Sequence, residues 1–539
     1  MGEEGGGRSC GTTRELQKLK QQAMEYYREN DVPRRLEELL NSTFYLQPAD
    51  VYGHLANCFS KLAKPPTICK VVGKNVLDGL GLPTLQVEIF CTIQNFPKNI
   101  CSVVISTHFE VHENASPELA EAEELERLDA VSTAVQWVNE TITEELQGLV
   151  PSNQAEVDQV LRTFFENKVQ EDKERKELEK NLKDSTVLSP QSPPPPPPPP
   201  PPSKKKGQKQ GRMETAAEKP IIPAEPPEAV LCGSMAIGAV SLAVAKTSAM
   251  LDNNPLYLNI ALLKHHQEQP EKLTIPLLMV SLVSCGKSSP GKLNLMKEVI
   301  CIPHPGLTAK QSPPPKPEMK KSHDGGKRGQ SKGKYEVMMG TYKSAAEMVD
   351  LYVDLINKFP SIIALIDPFR KEDSEQWDSI YNALGSRCYI IAGTASQSIS
   401  KLLEEGNVSI LKYSGLIIRH TNQTTMSDLV EITSLIHGKK HIAVFGSTEG
   451  ESSDDSLVDL AVGLGVRFIK LGGLSRGERV TKYNRLITIE EELGQNGTLG
   501  FNEEHTFFYW NKEAEKAGEL PEVPEPIFPT EVAEELAKL

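Results

Sequence analysis

The spacing of apolar residues divides the chain into parts with different predicted elements. Residues 12–66 place apolar side chains at helical intervals, which predicts helices. Residues 70–110 are rich in valine and isoleucine and are interrupted by glycine and proline, which predicts strands. Residues 334–494 alternate short apolar runs with amphipathic stretches, and this pattern indicates a parallel sheet covered by helices.

These patterns predict an α/β protein with an incomplete (β/α) barrel, an α+β N-terminal capping domain and a helical N-terminal extension. Right-handed crossovers repeated along one chain can close a parallel sheet into such a barrel. The predicted segments are a helical extension (12–66), an α+β domain (67–183), a disordered linker rich in proline and lysine (184–228), helices completing the α+β domain (229–271), the first barrel strands (272–308), a disordered insert (309–333), the remaining barrel (334–510) and an acidic tail (511–539).

Composition narrows the classes of function. The chain has 73 acidic residues against 59 lysines and arginines, which argues against nucleic acid as a partner. Its nine cysteines include no C-x-x-C pair, which favours a reducing compartment over a disulfide framework or a zinc site. No signal peptide and no long apolar span stand out, so the sequence predicts a cytoplasmic protein without a membrane partner.

Residues 467–494, RFIKLGGLSRGERVTKYNRLITIEEELG, combine several features of an anion-binding site. A short apolar run brings Lys470 to a strand end, and Gly472 and Gly473 permit a tight turn. Ser475 is a candidate cap for the charged helix that follows, and Gly494 is a candidate end. A lysine at a strand end, a glycine turn and a helix start together favour an anionic ligand.

The same stretch closely resembles the enolase motif K-x-G-x-x-x-R-x-E-R-x-x-K-Y-N-x-L-x-x-I-E-E-E-L-G. Residues 78–87 resemble the opening of that family, and residues 232–263 resemble one of its small-residue helices. The resemblance implies a lyase of glycolysis, phosphopyruvate hydratase, which converts 2-phosphoglycerate to phosphoenolpyruvate with magnesium and acts as a homodimer. Within the family, the extension, the linker and the altered site resemble a divergent sperm-type vertebrate branch, which implies a cytoplasmic or flagellar protein.

Two positions of the implied substrate site are kept. Lys470 matches the substrate-binding lysine. Glu298 matches a glutamate of the acid pair that handles the leaving hydroxyl, and so is implied to be catalytic and substrate-binding. A solvated carboxylate beside Lys297, which replaces the family's glutamine, is the alternative interpretation of Glu298.

The positions of the metal ligands and of the base are changed. Ile366 takes the place of a metal-binding glutamate beside Asp367, and Gly393 and Thr394 replace two aspartates. A magnesium pair of the family type is therefore not expected, and no metal ligand is predicted. Arg419 matches the proton-acceptor lysine, although aligning on the following Asn-Gln pair would place His420 there. Arginine cannot accept a proton, but it can bind a phosphate or carboxylate.

Other family positions are altered as well. Ser447, Thr448 and Glu449 replace a histidine, the phosphate-binding arginine and a serine. The substrate-side histidine is replaced by serine, at Ser288 or Ser289. In the family's mobile loop the metal-binding serine is replaced by Phe109 or Glu110. His108 and His112, which lie nearby in sequence, could bind a metal or be solvated.

These residues leave two hypotheses open. In the first, the protein is a phosphopyruvate hydratase with a heavily altered active site. In the second, it is a catalytically inactive pseudoenolase that acts in assembly, with sperm-flagellar structure as one setting. The N-terminal helices faintly resemble dimerisation-and-docking modules, although an ordinary helical extension explains them too. The ten prolines of residues 193–202 form either a stiff polyproline II spacer or a ligand for a proline-binding domain.

Overall fold

The residues with described positions cover most of the chain in several blocks. The computed structural model describes residues 9–105, 117–186, 231–284, 298–311, 335–338, 341–393, 402–403, 413–420, 422–446, 452–474, 476–505 and 507. The ten prolines, nearly all of the predicted linker and insert, and the acidic tail lie outside these blocks. By contacts the chain divides into two units, the first being residues up to Thr67 with Cys91–Lys98.

The first unit is built on three helices, α1 (Ser9–Glu29), α2 (Val32–Leu46) and α3 (Val51–Leu62). Asp50 caps α3, because its Oδ1 accepts a hydrogen bond of 2.8 Å from the backbone N–H of Gly53. Gln94 Nε2 donates to Ser60 Oγ at 3.2 Å. Large apolar side chains are exposed on all three helices. Among the side chains described on these helices, none that is apolar is buried, so the described part forms no apolar core of its own.

The second unit begins with an α+β region. A three-stranded sheet has the order β1-β2-β3. The helices that follow it contribute buried apolar residues to the core of this region. The elements are β1 (Thr67–Leu77), β2 (Pro83–Ile93), β3 (Phe96–Val104), α4 (Pro117–Trp137), a π-helical turn (Val138–Ile142), α5 (Thr143–Leu146), α6 (Gln154–Thr186), α7 (Met235–Leu251) and α8 (Leu256–Lys264).

The remaining elements form the barrel and its covering helices. They are β4 (Leu273–Thr274), β5 (Leu277–Ser284), β6 (Glu298–Cys301), β7 (Tyr335–Met338), β8 (Thr341–Lys343), α9 (Ala345–Lys358), β9 (Ala364–Ile366), α10 (Ser374–Leu384), β10 (Tyr389–Ala392), β11 (Gly415–Ile418), α11 (Met426–Gly438), β12 (Ile442–Gly446), α12 (Ser456–Gly463), β13 (Phe468–Gly472), α13 (Gly477–Gln495) and β14 (Leu499–Gly500).

Seven of these strands form one sheet, in the order β6-β5-β13-β12-β11-β10-β9. The pair β5 and β6 is antiparallel, and the other neighbours are parallel. A complete barrel of this type has eight strands. Within the described residues the sheet therefore corresponds to an incomplete barrel, with β6 and β9 as its two edges. The predicted fold class is confirmed.

Alternate residues of the strands fill the interior of the sheet. The interior cluster consists of Leu277, Met279, Tyr389, Ile391, Ile417, Val444 and Phe468. Ile300, Ala364 and Ile366 pack against it. Because side chains alternate along a strand, the next residue but one on each strand also points inward.

Helix α7 joins the barrel to the α+β region. Most of its side chains are buried, on all faces of the helix. At Gly238 its backbone comes so close to the loop after β11 that the N–H donates to the Asn422 carbonyl at 2.8 Å. A Cβ atom at Gly238 would lie 2.5 Å from that carbonyl oxygen. Only glycine permits this approach at position 238.

Among the described residues, no single helix is long and apolar enough to cross a bilayer. Helices α7 and α8 together have the length and apolar composition of a span, but they are bent by 107° relative to each other.

Replacing Gly238 by alanine tests the importance of this close approach. We expect Gly238→Ala to lower the free energy of unfolding by about 1 to 3 kcal/mol, because the added methyl group must displace the Asn422 backbone. Gly494→Ala, in α13, is the matched control because nothing lies within 4 Å of its Cβ position. It should raise stability by about 0.5 to 1 kcal/mol. Urea unfolding followed by circular dichroism measures both. Equal effects would contradict the tight packing of α7.

Candidate active site

The inward residues at the carboxyl ends of the strands mark the barrel mouth. They follow the interior cluster by two positions on each strand, and they are Ser281, Gly393, Arg419, Gly446 and Lys470. In barrels of this type the residues that carry function lie at these strand ends. The mouth is therefore the candidate active site.

Glu298 and Lys470 meet at this mouth. Lys470 Nζ lies 2.6 Å from Glu298 Oε2, and Ser281 Oγ donates to Glu298 Oε1. The side chains of Lys470 and Glu298 are 24% and 22% exposed, so water only partly screens the pair. Both oxygens of the glutamate are thus engaged by side chains of the chain itself.

The turn after Lys470 is built by glycine and by residues of α13. Gly472 has φ of 77°, and a Cβ atom there would lie 2.7 Å from the Arg479 guanidinium carbon. The hydroxyl of Tyr483 donates to the Gly472 carbonyl at 2.8 Å. A register shift between β13 and β5 falls at the same place. The motif residues that follow Lys470 therefore fix the end of β13, and with it the position of the lysine.

The ends of α13 differ from the sequence expectation. The helix runs one residue past Gly494, and the left-handed residue beyond it is Gly497, with φ of 70°. Arg476 is the N-cap residue, whereas the predicted cap Ser475 lies outside the described residues. Lys482 of the same helix is buried and donates from Nζ to the Ser452 carbonyl at 2.9 Å. It ties α13 to the segment before α12.

Arg419 and His420 lie on opposite sides of the strand. Arg419 follows the inward Ile417, and its Nε lies 3.7 Å from the Cβ position of Gly446. Its side chain therefore lies over β12, next to the strand that carries Lys470. His420 points out of the barrel, and its Nε2 lies 3.1 Å from the Cβ position of Gly238 on α7.

His420 is fully enclosed in that position. Burial lowers the pKa of His420 to about 4, and its Nε2 makes no hydrogen bond with another group that the structure describes. Of the two residues considered for the base position, Arg419 is thus the one that faces the mouth. The role of Arg419 at that position stays a prediction.

The positions expected for metal ligands hold few oxygen atoms. Ile366 packs against the interior cluster and has no donor atom. Asp367, with φ of 47°, accepts a hydrogen bond of 2.7 Å from the Gly393 N–H. Among the described residues, no three carboxylates, imidazoles or thiols come close enough to hold a metal ion. Magnesium prefers several oxygen ligands, and the described donors at this mouth do not fit it.

Several predicted site positions cannot be placed. They lie outside the described residues and are Thr394, Ser447, Thr448, Glu449, Ser288, Ser289, Lys297, His108, Phe109, Glu110 and His112. The roles expected for these residues therefore remain predictions.

Two contributions were not anticipated from the sequence. Ser281 binds Glu298, and its place two residues after the inward Met279 is the pattern that could have revealed it. Asp454 accepts from the Val104 N–H at 3.4 Å and lies 3.5 Å from Lys246 Nζ, which links the barrel to β3 and α7. Strand alternation gives no indication of this second contact because Asp454 lies in a loop.

Chemically, the described mouth includes the cations Lys470 and Arg419 and the carboxylates Glu298 and Asp367. Lys470 and Arg419 are cations of the kind that bind a phosphate or carboxylate. Both carboxylates are already engaged, Glu298 by Lys470 and Ser281 and Asp367 by the Gly393 N–H. The arrangement therefore favours anion binding over proton transfer.

Similarity to known proteins extends beyond the single motif. Residues 324–506 match the family model described as enolase, C-terminal TIM barrel domain. The chain is 72% identical to Enolase 4 of Homo sapiens, over 100% of this chain and 99% of that relative. It is 65% identical to Enolase 4 of Mus musculus over the full length of both chains, and 44% identical to Enolase 4 of Xenopus laevis over 92% of this chain and 95% of the relative.

The two mammalian relatives are longer than this chain. Both alignments run over 619 positions, whereas this chain has 539 residues. At least 80 aligned positions therefore hold residues of the relative that have no counterpart here. The similarity nevertheless covers the whole of this chain at high identity, and the chain belongs to the enolase family.

Proposed function

We propose that this protein is a catalytically inactive member of the enolase family, in which the barrel serves as a structural and assembly element. Enolases act on 2-phosphoglycerate, use magnesium and form dimers. The observation that carries the proposal is the closed contact of Glu298 with Lys470 and Ser281 at the barrel mouth. A substrate would have to compete with this ion pair for both side chains.

The donor chemistry at the mouth supports the same proposal. Magnesium stabilises the charge that develops on the substrate in this kind of reaction. The residues available here are Ile366, which has no donor, and Asp367, whose carboxylate already accepts from the Gly393 backbone. The described part of the site therefore does not fit the magnesium that the family uses, and no catalytic step is assigned to it.

The base position supports it as well. Proton removal next to a carboxylate requires a base that is unprotonated at the working pH, such as a lysine of lowered pKa. Arg419 occupies the inward position and stays charged under all relevant conditions. The loss of a positioned base alone costs a rate factor of about 10² to 10⁴.

Among the described residues, the open edges of the seven-stranded sheet are β6 and β9, one strand short of a complete barrel of this type. An open barrel of this kind agrees with a structural role for the described part of the sheet.

An assembly role is supported by the N-terminal helices. Half of the exposed large apolar side chains of the described residues belong to α1, α2 and α3. On α1 the residues Leu16, Leu19, Ala23 and Tyr26 repeat at intervals of three and four, the spacing of a helix–helix seam. The dimer expected from the family can use this face, and the helices and the polyproline run are candidate sites for partner proteins.

Phosphopyruvate hydratase activity is the second candidate function. It is favoured by the meeting of Glu298 and Lys470 at the mouth, since both match substrate-site residues of the family. In that case Arg419 would bind the anionic substrate, and residues outside the described part of the mouth would supply the metal ligands.

An activity assay separates the two candidates. We expect purified protein, supplied with 2-phosphoglycerate and magnesium, to form no more phosphoenolpyruvate than its Lys470→Ala variant. The absorbance of the product measures the rate, and an ordinary enolase serves as the positive control. Turnover that is lost on substituting Lys470 would overturn the proposal and establish the hydratase.

A double-mutant cycle tests whether the ion pair is structural. Lys470→Met should lower the free energy of unfolding by about 1 to 2 kcal/mol, because it removes the partner of a half-buried carboxylate. Adding Glu298→Gln should recover part of this loss, with a coupling of about 1 kcal/mol. Urea titrations of the four proteins give the cycle. Strict additivity would show that the pair contributes nothing to the fold.

The apolar face of α1 can be tested by changing its charge. Leu16 and Leu19 are 71% and 63% exposed, so replacing both with glutamate should not unfold the protein. We expect the double variant to be monomeric by light scattering after size exclusion, whereas the original chain is a dimer. Leu178→Glu, at a site on α6 that is also 63% exposed, is the control and should leave the mass unchanged. A dimeric double variant would exclude α1 as the contact.

A further inference from the structure

An apolar groove lies on the outer face of the barrel, away from the mouth. It is formed by the start of α6, the end of α8 and the length of α11, and its volume is about 600 Å³. Leu263, Met426 and Val430 are among the apolar residues that line it, and Glu431 and Lys439 are among the charged ones. A groove of this volume can hold a small organic molecule.

Lys264 lines this groove, and its amine contacts a backbone carbonyl and an imidazole. Its Nζ donates to the carbonyl of Leu464, the residue that follows α12, and lies 3.0 Å from His437 Nδ1 on α11. A lysine at this place stabilises the carboxyl end of α12. The amine is thus fixed between two helices, beside an apolar space.

The surroundings of Lys264 favour its neutral form. Burial lowers the pKa of Lys264 to about 8. Burial, followed by the charge of Lys264, lowers the pKa of His437 to about 4, so the imidazole is neutral at pH 7.5. About a quarter of the Lys264 side chains are then uncharged at pH 7.5, against about a thousandth for an ordinary lysine.

A neutral amine in this position keeps its lone pair available. With His437 in the tautomer that carries its proton on Nε2, the two N–H groups of the amine donate to the Leu464 carbonyl and to Nδ1 of His437. The other ionisable groups of the groove are His266 on the segment after α8, Glu431 on α11, and Lys439, which follows α11. A half-buried lysine of this kind is a nucleophile for carbonyl compounds.

We propose that Lys264 is a covalent modification site, at which the groove binds an aldehyde with an apolar chain and the amine forms a Schiff base with it. Neither the family activity nor the barrel mouth requires this site. The apolar lining binds the apolar chain of the aldehyde, and the amine forms the covalent bond with its carbonyl carbon.

The reaction balances without a further reactant. The lone pair of Nζ attacks the aldehyde carbon, and one N–H proton passes to the former carbonyl oxygen to give a carbinolamine. Loss of the remaining N–H proton and of the hydroxyl group, as one molecule of water, leaves a carbon–nitrogen double bond. The step is reversible, and a hydride donor added in an assay converts the imine to a stable secondary amine.

Trapping with hydride tests the proposal on the full chain. Hexanal and cyanoborohydride are added at pH 7.5, and the labelled peptides are identified by mass spectrometry. We expect Lys264 to be labelled at least about tenfold faster than the other lysines, because its neutral fraction is larger. The labelling rate should rise through a midpoint near pH 8, the pKa of Lys264.

Substitutions at two lysines of the groove distinguish a specific site from general lysine reactivity. Lys264→Arg keeps the positive charge and a donor for the Leu464 carbonyl, and it should remove the fast labelling. Lys439→Arg replaces another lysine of the same groove and should leave the fast labelling unchanged. Circular dichroism checks that both variants are folded.

The contribution of the groove is tested separately. Val430→Trp fills apolar space and should slow labelling by hexanal much more than labelling by acetaldehyde. In the unchanged protein hexanal should label Lys264 at least about tenfold faster than acetaldehyde, because each buried methylene group adds to binding. Equal rates for the two aldehydes, or labelling spread over the lysines in proportion to their exposure, would overturn the proposal.

Discussion

The close approach of α7 to the loop after β11 is the constraint on which the rest of the structure depends. The Gly238 N–H donates to the Asn422 carbonyl at 2.8 Å, and a side chain at Gly238 would prevent this contact. From this point α7 packs against both the barrel and the α+β region. Asp158 of α6 extends the connection, because it accepts hydrogen bonds from Ser241 of α7 and Ser427 of α11.

The barrel keeps the framework of its family, and the turn after β13 fixes one side of its mouth. Tyr483 and Arg479 hold the turn at Gly472, which sets the position of Lys470. Nearby, Arg419 is a permanent cation and Ile366 has no donor atom. Lys470 forms an ion pair with Glu298. Among the described residues of the mouth, this arrangement favours anion binding or a structural contact.

The same framework places a second unusual lysine far from the mouth. Lys264 is half-buried between α8, α11 and the end of α12, and its environment favours the neutral amine. Lys470 is paired with a carboxylate, whereas the Lys264 amine is matched by a carbonyl and an imidazole. This difference in partners explains why one lysine forms an ion pair and the other is set up for covalent chemistry.

The sequence by itself determined the strands of the barrel, because apolar runs separated by amphipathic helices have few other ways to fold. It also identified Lys470 and Glu298, since a long ungapped motif surrounds the first and a matching strand carries the second. Their pairing was decided only by the tertiary structure, because 172 positions of chain separate them and the sheet order brings β13 and β6 close to β5. Which of Arg419 and His420 faces the mouth was also decided only there, because the two are adjacent in sequence and the inward side chain of Ile417 sets the alternation. The groove at Lys264 is made by three helices distant in sequence, so no local pattern could have predicted it.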